Sequence, residues 1–229
     1  MEKSPELKKS GLDQTKHREK ELARTAMSEN IDTEKGEHEN GAGDKIKEYK
    51  KNKEAFAKNK EKYSIIREGI VAKINKSSDE SSKKEYQEEL RRLRVIEDYS
   101  AIQYISHQGK MLIGYNPDLT EDWTNRCNEF ENNIIREGRL PYLVETDMTI
   151  VLDAMVKMEE GSSSEELKDF ISKESDGQPY RELTIARYVA HFGSSGHIFA
   201  EKIGIADLPQ DIDDFRITKV NDTGGIRGI

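Results

Sequence analysis

The sequence predicts an all-α fold: a helical core with a long flexible N-terminal arm and an extended C-terminal arm. Three observations predict it. From about residue 63 to 204, apolar residues recur every three or four positions, the spacing of helices buried on one face. Serine-led capping boxes and glycine stops punctuate those runs. The composition, 36% charged against 34% hydrophobic over 229 residues, is too polar for the whole chain to bury itself.

Residues 1–62 are expected to form a disordered charged arm. Nearly half of residues 1–60 are charged, and large apolar residues stand singly: Leu7, Leu12, Leu22, Met27, Ile31, Ile46, Phe56. Ordering costs about 1–2 kcal/mol per residue, with little apolar area here to offset it. Asn40-Gly41-Ala42-Gly43-Asp44 is a break. Lys45 to Lys62 supports only a transient helix without a sticky face.

The core is expected over 63–204. Tyr63, Ile65, Ile66, Ile70, Val71 and Ile74 have helical spacing, weakened at Gly69 by about 1 kcal/mol relative to alanine. Ser82-x-x-Glu85 is a capping box opening a second helix, with Tyr86, Leu90, Leu93 and Ile96 as its stripe. Residues 99–116 are ambiguous: Tyr99, Ile102 and Ile105 suit a helix, but Gln108-Gly109 signals a turn. Leu119, Trp123, Cys127, Phe130 and Ile134 predict a helix ended by Gly138; Met148, Val151, Leu152 and Met155 predict the next, closed by Gly161. Ser163-x-x-Glu166 caps a helix carrying Leu167, Phe170 and Ile171. Leu183, Ala186 and Ala190 follow, with a stop at Gly193; Ser194 and Ser195 open a short helix with Ile198, Phe199 and Lys202, stopped by Gly204. Residues 205–229 are expected to be an extended C-terminal arm.

Charge is uneven. Residues 1–60 carry 15 Lys/Arg and 13 Asp/Glu; residues 61–100 carry 9 of each; residues 101–229 carry 13 and 23. No apolar run approaches 18 residues, so no transmembrane helix is expected, and the N-terminal MEKSPELKKSGLDQ has no leader-like apolar stretch. One cysteine, Cys127, excludes an internal disulfide framework and a cysteine-built zinc site. A soluble intracellular protein is the default.

Catalytic constellations are thin. His191 and His197 stand six apart, not at the i, i+4 spacing of a helical metal pair, and His107 is alone. Asp211, Asp213 and Asp214 are oxygen ligands in type, but a self-solvated loop is the plainer reading. Cys127 lies on an apolar stripe and is expected to be a packed thiol. Gly193-Ser194-Ser195-Gly196 offers backbone N–H groups to a phosphate but lacks the Gly-Lys-Ser/Thr of a P-loop, so a helix connection is preferred. Arg181, Arg187 and Lys202 lie on consecutive short helices, and Tyr180 and Tyr188 neighbour the arginines. Such pairing suits a single-strand groove, where cations track phosphates and rings take base faces; ordinary salt bridges to Glu182 or Glu201 are the alternative. No enzyme activity, metal or cofactor is expected.

Three stretches together carry a resemblance. Glu145-Thr146-Asp147-Met148-Thr149-Ile150-Val151-Leu152 is followed by Gly161-Ser162-Ser163. Arg181-Glu182-Leu183-Thr184-Ile185-Ala186-Arg187-Tyr188-Val189-Ala190-His191-Phe192 follows. The chain ends in Gly225-Ile226-Arg227-Gly228-Ile229. These resemble the coat proteins of flexuous filamentous plant viruses, the potyvirus type in particular, over about a third of the chain. That family has a Met-x-Ile-x-Leu helix after an acidic turn, then Gly-(Thr/Ser)-Ser, an Arg-x-Leu-Thr…Ala-Arg-Tyr-x-x-x-Phe run, and often a Gly-Val-Arg-Gly-Val end. Here the Arg-x-Leu-Thr run is two residues shorter between its halves. Ala190-His191-Phe192 also matches an Ala-His-Phe in another helix of the family, so two alignments stay open.

The resemblance implies a capsid protein of a helical virion that polymerises through its two arms along single-stranded RNA, without sequence specificity and without a membrane. It implies a location in the virion and host cytoplasm. In the family a Ser, an Arg and an Asp line the RNA pocket. Ser162 or Ser163 and Arg181 would correspond, with His191 at the Asp position under the second alignment. The RNA-binding residues expected are thus Ser162, Ser163, Arg181 and Arg187, supported by Tyr188. Leu7, Leu12, Ile46 and Phe56 are candidates to fill grooves on a neighbouring subunit. The alternative is a non-enzymatic, viral phosphoprotein-like or scaffold protein with a disordered recruiting arm.

Overall fold

The computed structural model describes residues 41–141 and 143–204. The arm expected over residues 1–40, including Leu7 and Leu12, and the C-terminal arm expected over 205–229, including Asp211, Asp213 and Asp214, lie outside the described residues. Among the described residues the chain is all-α, with seven helices and no strand. These are α1 (Ala42–Lys76), α2 (Glu80–Ile113), α3 (Pro117–Glu137), α4 (Val144–Glu159), α5 (Ser164–Glu174), α6 (Pro179–Phe192) and α7 (Gly196–Ile203). They divide into two compact units. The first takes 41–106 and 127–140; the second takes 107–126, 141 and 143–204.

In the first unit, α1 corrects the expected arm boundary. Residues 42–62 are not disordered arm but the front of a 35-residue helix. Tyr49, Phe56, Tyr63 and Ile70 recur every seven residues, a heptad seam whose intervening positions are often polar, Asn52 and Asn59 among them. A seam so sparse in apolar residues reads as isolated hydrophobes in composition. In three dimensions Tyr49 and Ile70 are buried, and the Phe56 ring stacks on Tyr104 with centroids 4.2 Å apart. An Arg67–Glu97 ion pair and the Lys73 ammonium 5.5 Å from the Tyr86 ring follow in reverse order along α2, so the two helices are antiparallel.

The turn between them corrects a second expectation. Asp79, not Ser82, caps α2: its carboxylate accepts the Ser82 amide at 2.8 Å and the Ser82 hydroxyl at 2.7 Å. These bonds hold the Asp79 carboxyl below its ordinary range. The ambiguity at 99–116 resolves as continuous helix through Ile113. Tyr99, Ile102, Ile105, Cys127, Phe130 and Ile134 are all buried. Gln103 bonds Glu131, and Asp98 accepts the Leu140 amide at 2.6 Å.

The second unit is built on α4, which is buried on nearly every side, Asp147, Met148, Val151, Leu152 and Met155 included. Trp123, fully buried, meets Phe192 edge-on with centroids 4.9 Å apart and an 86° interplanar angle. Gly109 explains the false turn signal. A Cβ there would sit 1.9 Å from Trp123 Cε2, so the glycine admits the indole against the α2 backbone. On α6 only Ala190 of the expected stripe is buried. Ile185, Tyr188, Val189 and Phe192 face the core, whereas Leu183 is 42% exposed. The larger β-branched and aromatic side chains offer more apolar area than Leu183 and Ala186, and they win the core face.

Candidate nucleic-acid interface

An acid placed on a buried helical stripe must find a partner, because a lone charge in an apolar setting is costly. Asp147 shares the spacing of Val151, Ala154 and Met158 and is 1% exposed. Its partner is Arg181 of α6, 4% exposed. Nη2 and Nε donate to Asp147 Oδ1 at 2.6 and 3.1 Å, and Nη1 donates to the Ser175 carbonyl at 3.1 Å and to Asp176 Oδ2 at 3.2 Å. Burial pushes the Asp147 carboxyl above the usual carboxylate range, opposed by the hydrogen bonds and charge of Arg181. The guanidinium is spent on internal acceptors, so it anchors α6 to α4 and presents no surface to a phosphate.

The other expected RNA residues are placed as follows. Ser163 caps α5. Its hydroxyl accepts the Glu166 amide at 3.2 Å while Glu166 accepts the Ser163 amide at 2.7 Å, which holds the Glu166 carboxyl below its ordinary range. Ser162 is half-exposed beside it, and Arg187 is half-buried on α6. Tyr188 is fully buried, its ring 5.8 Å from Phe192; it is core packing and not a platform for a base.

The structure does not bring the serines and Arg181 into one pocket. Arg181 binds the first turn of α4, whereas Ser162 follows its last residues, about 20 Å away at 1.5 Å per residue. At the serine end lies the α6–α7 connection. A Cβ on Gly193 would meet Met158 Sδ at 3.1 Å, and Ser194 donates to the Glu159 carboxylate. A Cβ on Gly196 would lie 2.0 Å from the Ala190 carbonyl oxygen, so this glycine serves close packing of the turn. With Glu159 occupying Ser194, the turn is a helix connection rather than a phosphate cradle.

His191, at the family's Asp position under the second alignment, pairs through Nε2 with Asp122 Oδ2 at 2.9 Å and packs edge-on against Phe192. A groove of about 380 Å³ lies between α5, α6 and α7, lined by Ile171, Leu183, Ala186 and Phe199 with Lys168, Asp169 and Glu182. Its lining has one cation against two acids; Lys168 donates to the Lys202 carbonyl at 3.2 Å, and Ser172 donates to Glu182 at 2.9 Å. It suits an apolar chain segment better than a phosphate.

Sequence reasoning finds Arg181 and His191 but misses Asp147 and Asp122 as their partners. For Asp147 a signal exists: an acid at the period of the buried stripe. For Asp122, an acid in the first two turns of α3, none does. Among the described residues there is no cluster of three or more His, Cys, Asp or Glu able to hold a metal, and no helix is long and apolar enough to cross a membrane. Comparison with protein-family models, curated proteins and solved structures found no match.

Proposed function

We propose that this chain is a viral coat or nucleocapsid protein that polymerises along single-stranded RNA. One observation supports the reading most. The two internal stretches with coat-protein resemblance, 145–163 and 181–192, pack into one unit and are clamped together by the buried Asp147–Arg181 pair. Arg181 is then a positioning residue. Ser163 spends its hydroxyl on Glu166 in the capping box, which leaves Ser162 and Arg187 as the members of the expected set to face RNA. Sequence-independent packaging needs phosphate contacts, not base readout, and therefore few specific side chains.

Assembly needs sticky surface as well. Tyr180, Leu183 and Ile198, each large and apolar, are 54%, 42% and 57% exposed on the second unit. Repeated weak contacts along one RNA would add by multivalency, and head-to-tail contacts would generate an open filament. The test is electron microscopy of the protein with and without single-stranded RNA, followed by nuclease. RNA-dependent, nuclease-sensitive elongated particles are expected. Discrete oligomers indifferent to RNA would favour the scaffold reading, for which the acidity of the second unit would serve basic partners.

A further inference from the structure

The second unit poses an electrostatic problem for any RNA-binding role. Its described residues hold 8 Lys/Arg and 15 Asp/Glu, and acids stand at the serine end of α4: Glu159, Glu160, Glu165 and Glu166. A phosphate chain there needs countercharge from elsewhere. The opposite imbalance sits on α1, with eleven Lys/Arg against five Asp/Glu in 35 residues.

The arrangement is more specific than the count. Lys47, Lys51, Lys58 and Lys62 fall at steps of four, seven and four residues. Lys47 to Lys58 and Lys51 to Lys62 are both eleven residues, three turns of helix, so the four ammonium groups form one stripe about 22 Å long. All four residues are exposed. Lys51 and Lys58 make no ion pair with any described residue. Lys47 reaches Asp44 only at 3.5 Å, with both side chains mostly in solvent, and Lys62 donates to Asn59 at 3.4 Å. Glu54, three residues after Lys51 and four before Lys58, and Glu61, three after Lys58, border the row on one flank, two acids against four lysines. Surface pairs of this kind contribute little and yield readily to a stronger anion.

We infer that the lysine stripe of α1, Lys47-Lys51-Lys58-Lys62, is a binding surface for the phosphate backbone of single-stranded RNA. It rests on the RNA-binding reading above and adds the cations that the second unit lacks. Every cation from 42 to 66 is lysine, a compact point charge without the planar fork that reads bases, which suits contact independent of sequence. Two other partners fit less well. A lipid surface would need a continuous apolar face, but Tyr49 and Ile70 are buried, Phe56 is stacked on Tyr104, and the exposed Ile65, Ile66 and Val71 all lie C-terminal to the lysine row and not along it. A protein partner would need an apolar, lysine-poor centre, and the stripe has neither property.

The experiment uses the full chain and a labelled oligo(U) of about 30 nucleotides, long enough to span the stripe, with binding measured across a salt series. Wild type is compared with K47E/K51E/K58E/K62E and with the milder K47Q/K51Q/K58Q/K62Q, each checked for native helicity by circular dichroism. Each phosphate contact on a single strand contributes about 0.7 to the slope of log affinity against log salt. The glutamine variant should lose about 2–3 from that slope, with affinity down about tenfold or more at a salt concentration of about 100 mM. The glutamate variant should bind more weakly still. Wild-type binding with an unchanged slope in both variants would overturn the stripe and leave the RNA-binding reading standing. No wild-type binding at any salt would overturn that reading and the stripe with it. Loss of RNA-free self-association in the variants, with RNA affinity kept, would assign the stripe to a protein contact and overturn the inference.

Discussion

Arg181 and Asp147 show at the scale of single residues how a plausible ligand contact becomes a structural one. An arginine beside a tyrosine on a short helix has the composition of an RNA groove. Its burial and its four hydrogen bonds turn it inward. Removing it strands Asp147, so Arg181→Met should lower stability by about 3–5 kcal/mol, read by urea denaturation. Replacing both partners, as in Asp147→Leu with Arg181→Met, should recover most of the loss, because no charge is left buried. The Asp147 carboxyl already lies above its unfolded value, and a group raised in this way loses stability as pH rises through its folded pKa. The single variant should therefore be hurt less at low pH than in mildly alkaline buffer. Glu88 has the opposite sign. Hydrogen bonding and charge from Arg91, with help from Arg92, hold it down at about 2. Its contribution is complete above the ordinary glutamate range and is lost as pH falls from about 4.5 toward 2. Its side chain is 43% exposed, so the effect is small. Glu88→Gln should flatten the acid limb of the melting curve slightly; an unchanged limb would remove this role.

Among the helices, two interior glycines test the packing with opposite signs. Gly69 in α1 has open space where a Cβ would stand, so Gly69→Ala should stabilise by about 1 kcal/mol through helix propensity. Gly109 in α2 lies under Trp123, and Gly109→Ala should destabilise by about 1–3 kcal/mol and perturb tryptophan fluorescence. Thermal melts of the two variants moving in the same direction would contradict this. These helices also show what is legible in the sequence. α3 to α5 can be read from three- and four-residue apolar spacing, the Ser163 capping box and the stops at Gly138 and Gly161, both at positive φ. The front of α1 cannot, because a seam of one aromatic per seven residues carries too little signal in a lysine-rich segment. Gln108-Gly109 mimics a turn because the reason for that glycine lies in Trp123, on the next helix. On α6 the helix is legible but its buried face is not, since both faces carry apolar residues. Of the candidate site, the residue types are legible and their separation along α4 is not.

For the molecule as a whole, the excess of charge over apolar content resolves into a division of labour. The first unit carries the basic helix α1, and the second, poor in cations, carries the net negative charge and the stretches on which the proposed coat-protein reading rests. An acidic unit of this kind does not attract a polyanion by its mean field, so the proposed RNA binding would have to draw on localised cations and on many copies acting together. RNA-templated assembly is therefore the central proposal. Negative-stain electron microscopy of the full chain mixed with single-stranded RNAs of two lengths tests it most directly. Filaments whose length follows RNA length, and which disappear on nuclease treatment, are the predicted result. Globular particles of one size at both RNA lengths, with no RNA retained, would contradict it.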